Sequence, residues 1–176
     1  MAAGNSCSGV RNLNRYDDKV NGVETYSEIA ILCISGAGAI VTGTGSNVVM
    51  GNTQTTGTDM TQQYASNVSF DLLTGIATIE KAGDYRLFYC AAVTSAAGEI
   101  GGTFEWLRSS KTESPALVGS LTVDIATNDV HGFTHETYVE NLAVGETVTL
   151  NHNAASTALT FSSLTFGIQL VKSKTF

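Results

Sequence analysis

The sequence has little proline, little charge and no long apolar run. Only one proline occurs in 176 residues, and charged residues make up 14% of the chain, well below the usual share of about a quarter. The longest apolar runs are Ile29 to Ile34 and Leu87 to Val93, whereas a membrane-spanning helix needs about 20 apolar residues. We therefore expect no membrane partner.

Basic residues are also scarce. Lysine and arginine total 9 against 16 acidic residues, which gives a net charge of -7. Proteins that bind nucleic acid present a concentrated cationic surface, which displaces the counterions of the phosphates. The densest basic cluster here is Lys172-Ser173-Lys174, so the sequence predicts no nucleic-acid partner.

The three cysteines are too few and too scattered for a disulfide framework. Cys7, Cys33 and Cys90 are an odd number without paired spacing. Cys33 and Cys90 lie in apolar segments, and we interpret them as small buried hydrophobic residues. The beginning, MAAGNSCSGV, has no basic region followed by an apolar one, so we expect synthesis in a reducing cytoplasm without a signal peptide.

The clearest strand pattern lies in Asn67–Val93. Val68, Phe70 and Leu72 alternate with polar residues, as in a half-buried strand. After two turn signals, residues 85–93 are apolar at nearly every position. That composition is typical of a central strand, and we expect this one to be buried on both sides.

The rest of the chain predicts more strands and no helix. Including Asn67–Val93, about nine or ten short strands alternate with turn signals, the spacing of a β-sandwich or barrel. We interpret Gly51–Gln63 and Ser95–Gly102 as polar loops, and Leu159–Val171 as a strand pair or one long bent strand. A chain of 176 residues with 43% hydrophobic residues suits one domain with a substantial core.

Residues 1–26 are polar and show no periodic pattern of apolar residues. We therefore interpret them as an N-terminal arm before a head domain at residues 27–176. The arm contains four residues suited to docking on a partner: Arg11, Leu13, Arg15 and Tyr16.

Three segments share one pattern of apolar strands and glycine turns: FDLLTGIATIEKAGDYRLFYCAAV, NLAVGETVTLNH and SSLTFGIQLV. Together they resemble the signature of the tumour necrosis factor superfamily and of the globular head domain of the first complement component. The matching residues are Phe70, Gly75, Gly83, Tyr85, Phe88, Leu142, Gly145, Glu146, Val148, Leu150, Leu164, Phe166, Gly167 and Ile168.

This resemblance implies an all-β jelly-roll sandwich of about ten antiparallel strands that forms a homotrimer. It implies that the aromatic residues lie in the core or the trimer interface; they are Tyr85, Phe88, Phe104, Trp106 and Phe166. Secreted members carry a signal, a collagen-like stalk or a membrane anchor, which we do not find here. The same jelly roll occurs in bacteriophage spike, head-fibre and decoration modules.

Candidate chemistry is sparse. His131 and His135 would share a strand face about 13 Å apart, too far to chelate one metal ion unless symmetry mates meet at a three-fold axis. The Asp17–Gly22 segment has the wrong spacing for an EF-hand loop. No Gly-x-Ser-x-Gly nucleophile elbow occurs. We therefore expect no enzyme activity, no catalytic residue, no cofactor and no metal.

The sequence thus predicts a structural virion protein: a capsid decoration or head-fibre protein that binds the capsid through its arm. One alternative is a receptor- or glycan-binding module that uses loops Gly43–Gln63 and Ser95–Gly102. A second is a single jelly-roll capsid protein, which the missing basic arm disfavours. A third is a cupin-like enzyme, which the histidine pattern disfavours.

Overall fold

The computed structural model consists of strands and the turns between them. The described residues contain no helix, and therefore no helix that is long and apolar enough to cross a membrane. The structure describes residues 19–20, 23–24, 31–36, 40–42, 48–49, 55–57, 60–97, 99–110, 115–153 and 159–173.

Strands are numbered in chain order. They are β1 (Lys19–Val20), β2 (Val23–Glu24), β3 (Ile31–Gly36), β4 (Ile40–Thr42), β5 (Val48–Val49), β6 (Thr55–Gly57), β7 (Met60–Ser66), β8 (Val68–Asp71), β9 (Ile76–Ile79), β10 (Gly83–Ser95), β11 (Glu99–Ser109), β12 (Ala116–Ile125), β13 (His131–Leu142), β14 (Thr147–Asn153) and β15 (Leu159–Ser173).

Two antiparallel sheets form the fold. The first sheet has the order β13-β10-β15-β3-β7, with β4 beside β15 and β6 beside β4. The second has the order β12-β11-β14-β9-β8, with β5 beside β14. Because β13, β14 and β15 alternate between the sheets, the connections cross from one layer to the other. This is the jelly-roll sandwich that the sequence predicts.

The core lies between the two sheets and is rich in aromatic rings. Along β10 every second residue is buried, from Tyr85 to Val93, and these side chains meet Phe104 and Trp106 of β11. The largest fully buried side chains are Trp106, Tyr85, Tyr89, Phe104, Phe161 and Phe166. This burial supplies the main favourable term for folding.

The prediction that β10 is buried on both sides holds for one side only. Its inner residues are buried, but its outer residues are half-buried at each position from Asp84 to Thr94. Cys90 belongs to this outer row, so its interpretation as a buried core residue is wrong. The apolar composition of the outer row therefore needs another explanation.

Two loop predictions were also wrong. Strands β6 and β7 cross the segment predicted as a polar loop at Gly51–Gln63, and β7 pairs with β3. The predicted loop Ser95–Gly102 is shorter, since β10 continues to Ser95 and β11 begins at Glu99. The last segment is one long strand, β15, with a register shift opposite Ala92 and Val93.

Local turn chemistry explains the glycines of the signature. Gly145 has a φ of 87°, which a side chain would strain, and its N–H donates to the carbonyl of Ile79. At Gly83 a Cβ would lie 2.4 Å from the carbonyl oxygen of Lys172. The Tyr85 hydroxyl donates to the Lys81 carbonyl at 2.5 Å, which ties the turn to the start of β10.

Candidate functional site

The outer face of the first sheet has mostly small or apolar side chains at its centre. Register places Phe88 between Glu136 and Gly167, Cys90 between Thr134 and Thr165, and Ala92 between Gly132 and Ser163. We call this surface the apolar face, defined by Phe88, Cys90, Ala92, Thr134, Tyr138, Thr165 and Gly167.

One ion pair lies within the apolar face, since Glu136 stands opposite Phe88 between Thr134 and Tyr138. The Arg86 guanidinium donates through Nε and Nη2 to Glu136 Oε2, and its Cζ lies 5.2 Å from the centre of the Phe88 ring. On the same side of the sheet Tyr138 is 61% exposed and Val171 58% exposed. The face therefore presents aromatic and aliphatic side chains around an ion pair whose two charges neutralise each other.

The outer face of the second sheet has the opposite character. Its side chains are mostly hydroxyls and amides, and they hydrogen-bond to one another: Thr103 Oγ1 lies 3.3 Å from Thr122 Oγ1, and Asn153 Nδ2 donates to Glu105 Oε1 at 3.3 Å. We call this surface the polar face, defined by Ser69, Thr78, Thr103, Glu105, Ser120, Thr122, Asp124, Thr147, Thr149 and Asn153.

A groove of about 330 Å³ lies at the β8–β9 end of the polar face. Strand register sets Ser69 opposite Thr78 and Asp71 opposite Ile76. In the turn, Asp71 Oδ2 accepts from the Thr74 hydroxyl at 2.8 Å and Oδ1 from the Leu73 N–H at 2.9 Å. These hydrogen bonds, from Thr74 first and then Leu73, lower the pKa of Asp71.

A buried ion pair closes one end of the sandwich. Arg108 donates to both carboxylate oxygens of Glu146, at 2.9 and 2.8 Å from Nη2, and to the carbonyls of Glu140 and Asn141. Glu146 also accepts from the Ala143 N–H at 2.6 Å. Arg108 thus fastens the β13–β14 turn to β11. Sequence reasoning identified Glu146 but missed Arg108, because 38 residues separate them.

The predicted aromatic residues fall into two groups. Tyr85, Phe104, Trp106 and Phe166 are at most 2% exposed and lie in the core of the single chain, whereas Phe88 lies on the apolar face. The predicted docking residues of the arm, Arg11, Leu13, Arg15 and Tyr16, lie outside the described residues, as does the Asp17–Asp18 pair.

Comparison with solved structures identifies the fold. The Eiger TNF of S. frugiperda superposes with a TM-score of 0.62 at 7% identity, covering 84% of this chain and 96% of that one. The globular domain of zebrafish complement 1qA superposes with a TM-score of 0.55 at 13% identity, covering 82% of this chain and 99% of that one. Murine APRIL superposes with a TM-score of 0.58 at 9% identity, covering 81% of this chain and 99% of that one. The fold is a TNF-like jelly roll.

Sequence comparison adds nothing to this result. No protein-family profile matches the chain, and none of the curated protein sequences compared with it matches. Identities of 7–13% establish the TNF-like architecture alone. What the chain does has to be argued from its own surfaces.

Within this TNF-like jelly roll, the two predicted histidines lie on the inner side of β13. The His135 ring stacks on Tyr89 at 5.4 Å, and the His131 ring lies 6.0 Å from Phe133. Both side chains therefore point away from the apolar face. Among the residues that the structure describes, no three His, Cys, Asp or Glu side chains are grouped to hold a metal ion.

Proposed function

We propose that this chain is a non-enzymatic structural protein that assembles as a homotrimer through the apolar face and serves as a decoration or head-fibre protein on a virion. The observation that carries the trimer is the outer row of β10. Phe88, Cys90 and Ala92 are half-buried in one chain, and burying such a surface against a second copy is favourable.

The interface of a closed trimer joins two different patches of the same chain. The apolar face supplies one patch. The adjoining edge of the sandwich suits the second, because Leu117 on β12 is 55% exposed and Thr137 of β13 donates to the Val118 carbonyl, holding the two edge strands together. An edge of this kind can pack against the apolar face of a neighbouring copy.

The virion role is proposed from the chain's composition and from the occurrence of the same jelly roll in bacteriophage head modules. The low charge content and net charge of -7 suit an outer surface away from the genome. The polar arm at residues 1–26, with Arg11, Leu13, Arg15 and Tyr16, is the segment proposed to bind the capsid protein.

Light scattering on the purified chain tests the trimer. We expect a mass about three times the 18.4 kDa of one chain, and a strict monomer at micromolar concentration would contradict the proposal.

Co-sedimentation with capsids of a phage that encodes the chain tests the virion role. We expect the full chain to sediment with capsids and a chain lacking residues 1–26 to remain in solution. Attachment that survives the deletion would contradict the role of the arm.

A further inference from the structure

We infer that the groove at the β8–β9 end of the polar face binds a neutral glycan. The inference goes beyond the proposed assembly role and needs only one chain. The lining residues are Ser69, Phe70, Asp71, Thr74, Ile76 and Thr78. All of them belong to a single hairpin and its turn, so the groove is complete in each subunit.

The hydrogen-bonding groups of the groove match those of a sugar. The hydroxyls of Ser69, Thr74 and Thr78 each donate and accept, as sugar hydroxyls do. The Asp71 carboxylate accepts hydrogen bonds from the Leu73 N–H, the Thr74 hydroxyl and the Thr74 backbone inside the turn, and a carboxylate has about four acceptor sites. Asp71 can therefore accept from one hydroxyl of a sugar ring, with its own orientation already fixed by the turn.

The groove also has an apolar wall. Ile76 is 37% exposed and stands directly across from Asp71 in the hairpin register. A pyranose ring carries hydroxyls around its rim and C–H groups on its face, so the rim can meet Asp71 while the face covers Ile76. A few polar groups beside an apolar wall are usual for small-ligand sites, and a volume of about 330 Å³ is at the small end of their range.

The negative charge of the groove determines which glycans it can bind. The one ionised group among the lining residues is Asp71, and the hydrogen bonds from Thr74 and Leu73 favour its charged form. An acidic sugar would place its carboxylate near this anion without a cation to compensate. The groove therefore favours neutral hexoses and N-acetylhexosamines over sialic or uronic acids.

Ligand-detected NMR on the full chain, followed by titration, tests the inference. The probes are glucose, galactose, mannose and N-acetylglucosamine, with sialic acid and glucuronic acid as acidic counterparts. We expect at least one neutral sugar to bind and the acidic ones not to. Binding of acidic sugars alone, or of none, would overturn the inference, and so would capture of an extended peptide at the β8 edge in place of a sugar.

Three variants locate the site. Asp71→Asn keeps an acceptor for the Leu73 N–H but removes the charge, and we expect about tenfold or greater weakening. Thr78→Val removes one hydroxyl at constant shape and should weaken binding about threefold. Asp124→Asn is the matched control, since Asp124 is an exposed carboxylate of the same face on β12, and it should bind like the wild type.

The results separate this inference from the proposed trimer. Sugar affinity unchanged in both Asp71→Asn and Thr78→Val would overturn the groove assignment, provided that both variants melt like the wild type. Light scattering on the same samples reports assembly. A monomer that binds sugar would contradict the trimer alone, and a trimer that binds none would contradict the glycan site alone.

Discussion

The two outer faces of the sandwich differ in chemistry although both belong to sheets with the same inner pattern. Phe88, Cys90 and Ala92 form the centre of one face, whereas Thr103, Ser120 and Thr122 lie on the other. A solvated sheet face normally alternates polar residues with the apolar inner ones, as the polar face does. The apolar face departs from that rule, and this departure is the reason for proposing it as the surface that a second copy covers.

The largest expected effect comes from placing a charge on each face in turn. Phe88→Glu would bury a second carboxylate beside Glu136 in the proposed interface, where Arg86 can neutralise only one of the two. Burying the other is strongly unfavourable, so we expect light scattering to show a monomer at micromolar concentration. Thr149→Glu on the polar face should remain a trimer. If Thr149→Glu dissociates and Phe88→Glu does not, the interface is the polar face and the comparison is reversed.

The two Arg–Glu pairs give the next largest difference. Side-chain exposure is 29% and 12% for Arg108 and Glu146, against 33% and 48% for Arg86 and Glu136. Arg108→Met leaves the buried Glu146 without its cation, so urea unfolding should show a loss of about 3 kcal/mol. Arg86→Met should cost less than about 1 kcal/mol at dilutions where the chain is monomeric. If Arg86→Met and Arg108→Met lower the free energy of unfolding equally, Arg86 is as well shielded from water as Arg108. The apolar face would then already be covered in a single chain.

Two tyrosines test the core that both faces share. The Tyr85 hydroxyl donates to the Lys81 carbonyl, whereas the Tyr89 hydroxyl has no hydrogen-bond partner in the part of the chain that the structure describes. We expect Tyr85→Phe to lower the free energy of unfolding by about 1 kcal/mol and Tyr89→Phe to leave it unchanged or slightly higher. A loss of about 1 kcal/mol in Tyr89→Phe would contradict this difference.

The smallest effect concerns pH at the polar face. The pKa of Asp71 is lowered by Thr74 and Leu73, so the folded turn favours the charged carboxylate. The contribution of the ionised Asp71 carboxylate to the stability of the folded state is fully present above the unfolded-state pKa. It is lost as pH falls through the folded-state pKa. We expect an acid titration followed by NMR to shift the Leu73 amide resonance at a pH below that of an ordinary aspartate. A midpoint above the ordinary value would contradict the turn geometry.

Much of the architecture could be predicted from the sequence because its signals are local. The period-two pattern and glycine turns of Asn67–Val93 and of the Gly145 hairpin predicted β8, β9, β10 and the β13–β14 turn. The strands within Gly51–Gln63 were missed because polar, glycine-rich segments lack that pattern.

The surfaces could not be predicted in the same way. An apolar residue in a strand looks the same in the sequence whether it faces the core or a partner, so Phe88 could not be separated from Phe104 or Trp106. The groove depends on strand register, which brings Asp71 opposite Ile76. Register and long-range pairs such as Arg108–Glu146 become visible only when the strands are in place.

The position of β15 has a consequence for how the protein is made. This strand begins at Leu159 yet lies between β10 and β3, and β3 begins at Ile31. The centre of the first sheet therefore stays open while nearly all of the described chain leaves the ribosome. Pairing across such long sequence separations is slow, and unpaired strand edges invite aggregation. We expect the yield of folded protein to depend on temperature and on chaperones that shield β3 and β10 until β15 arrives.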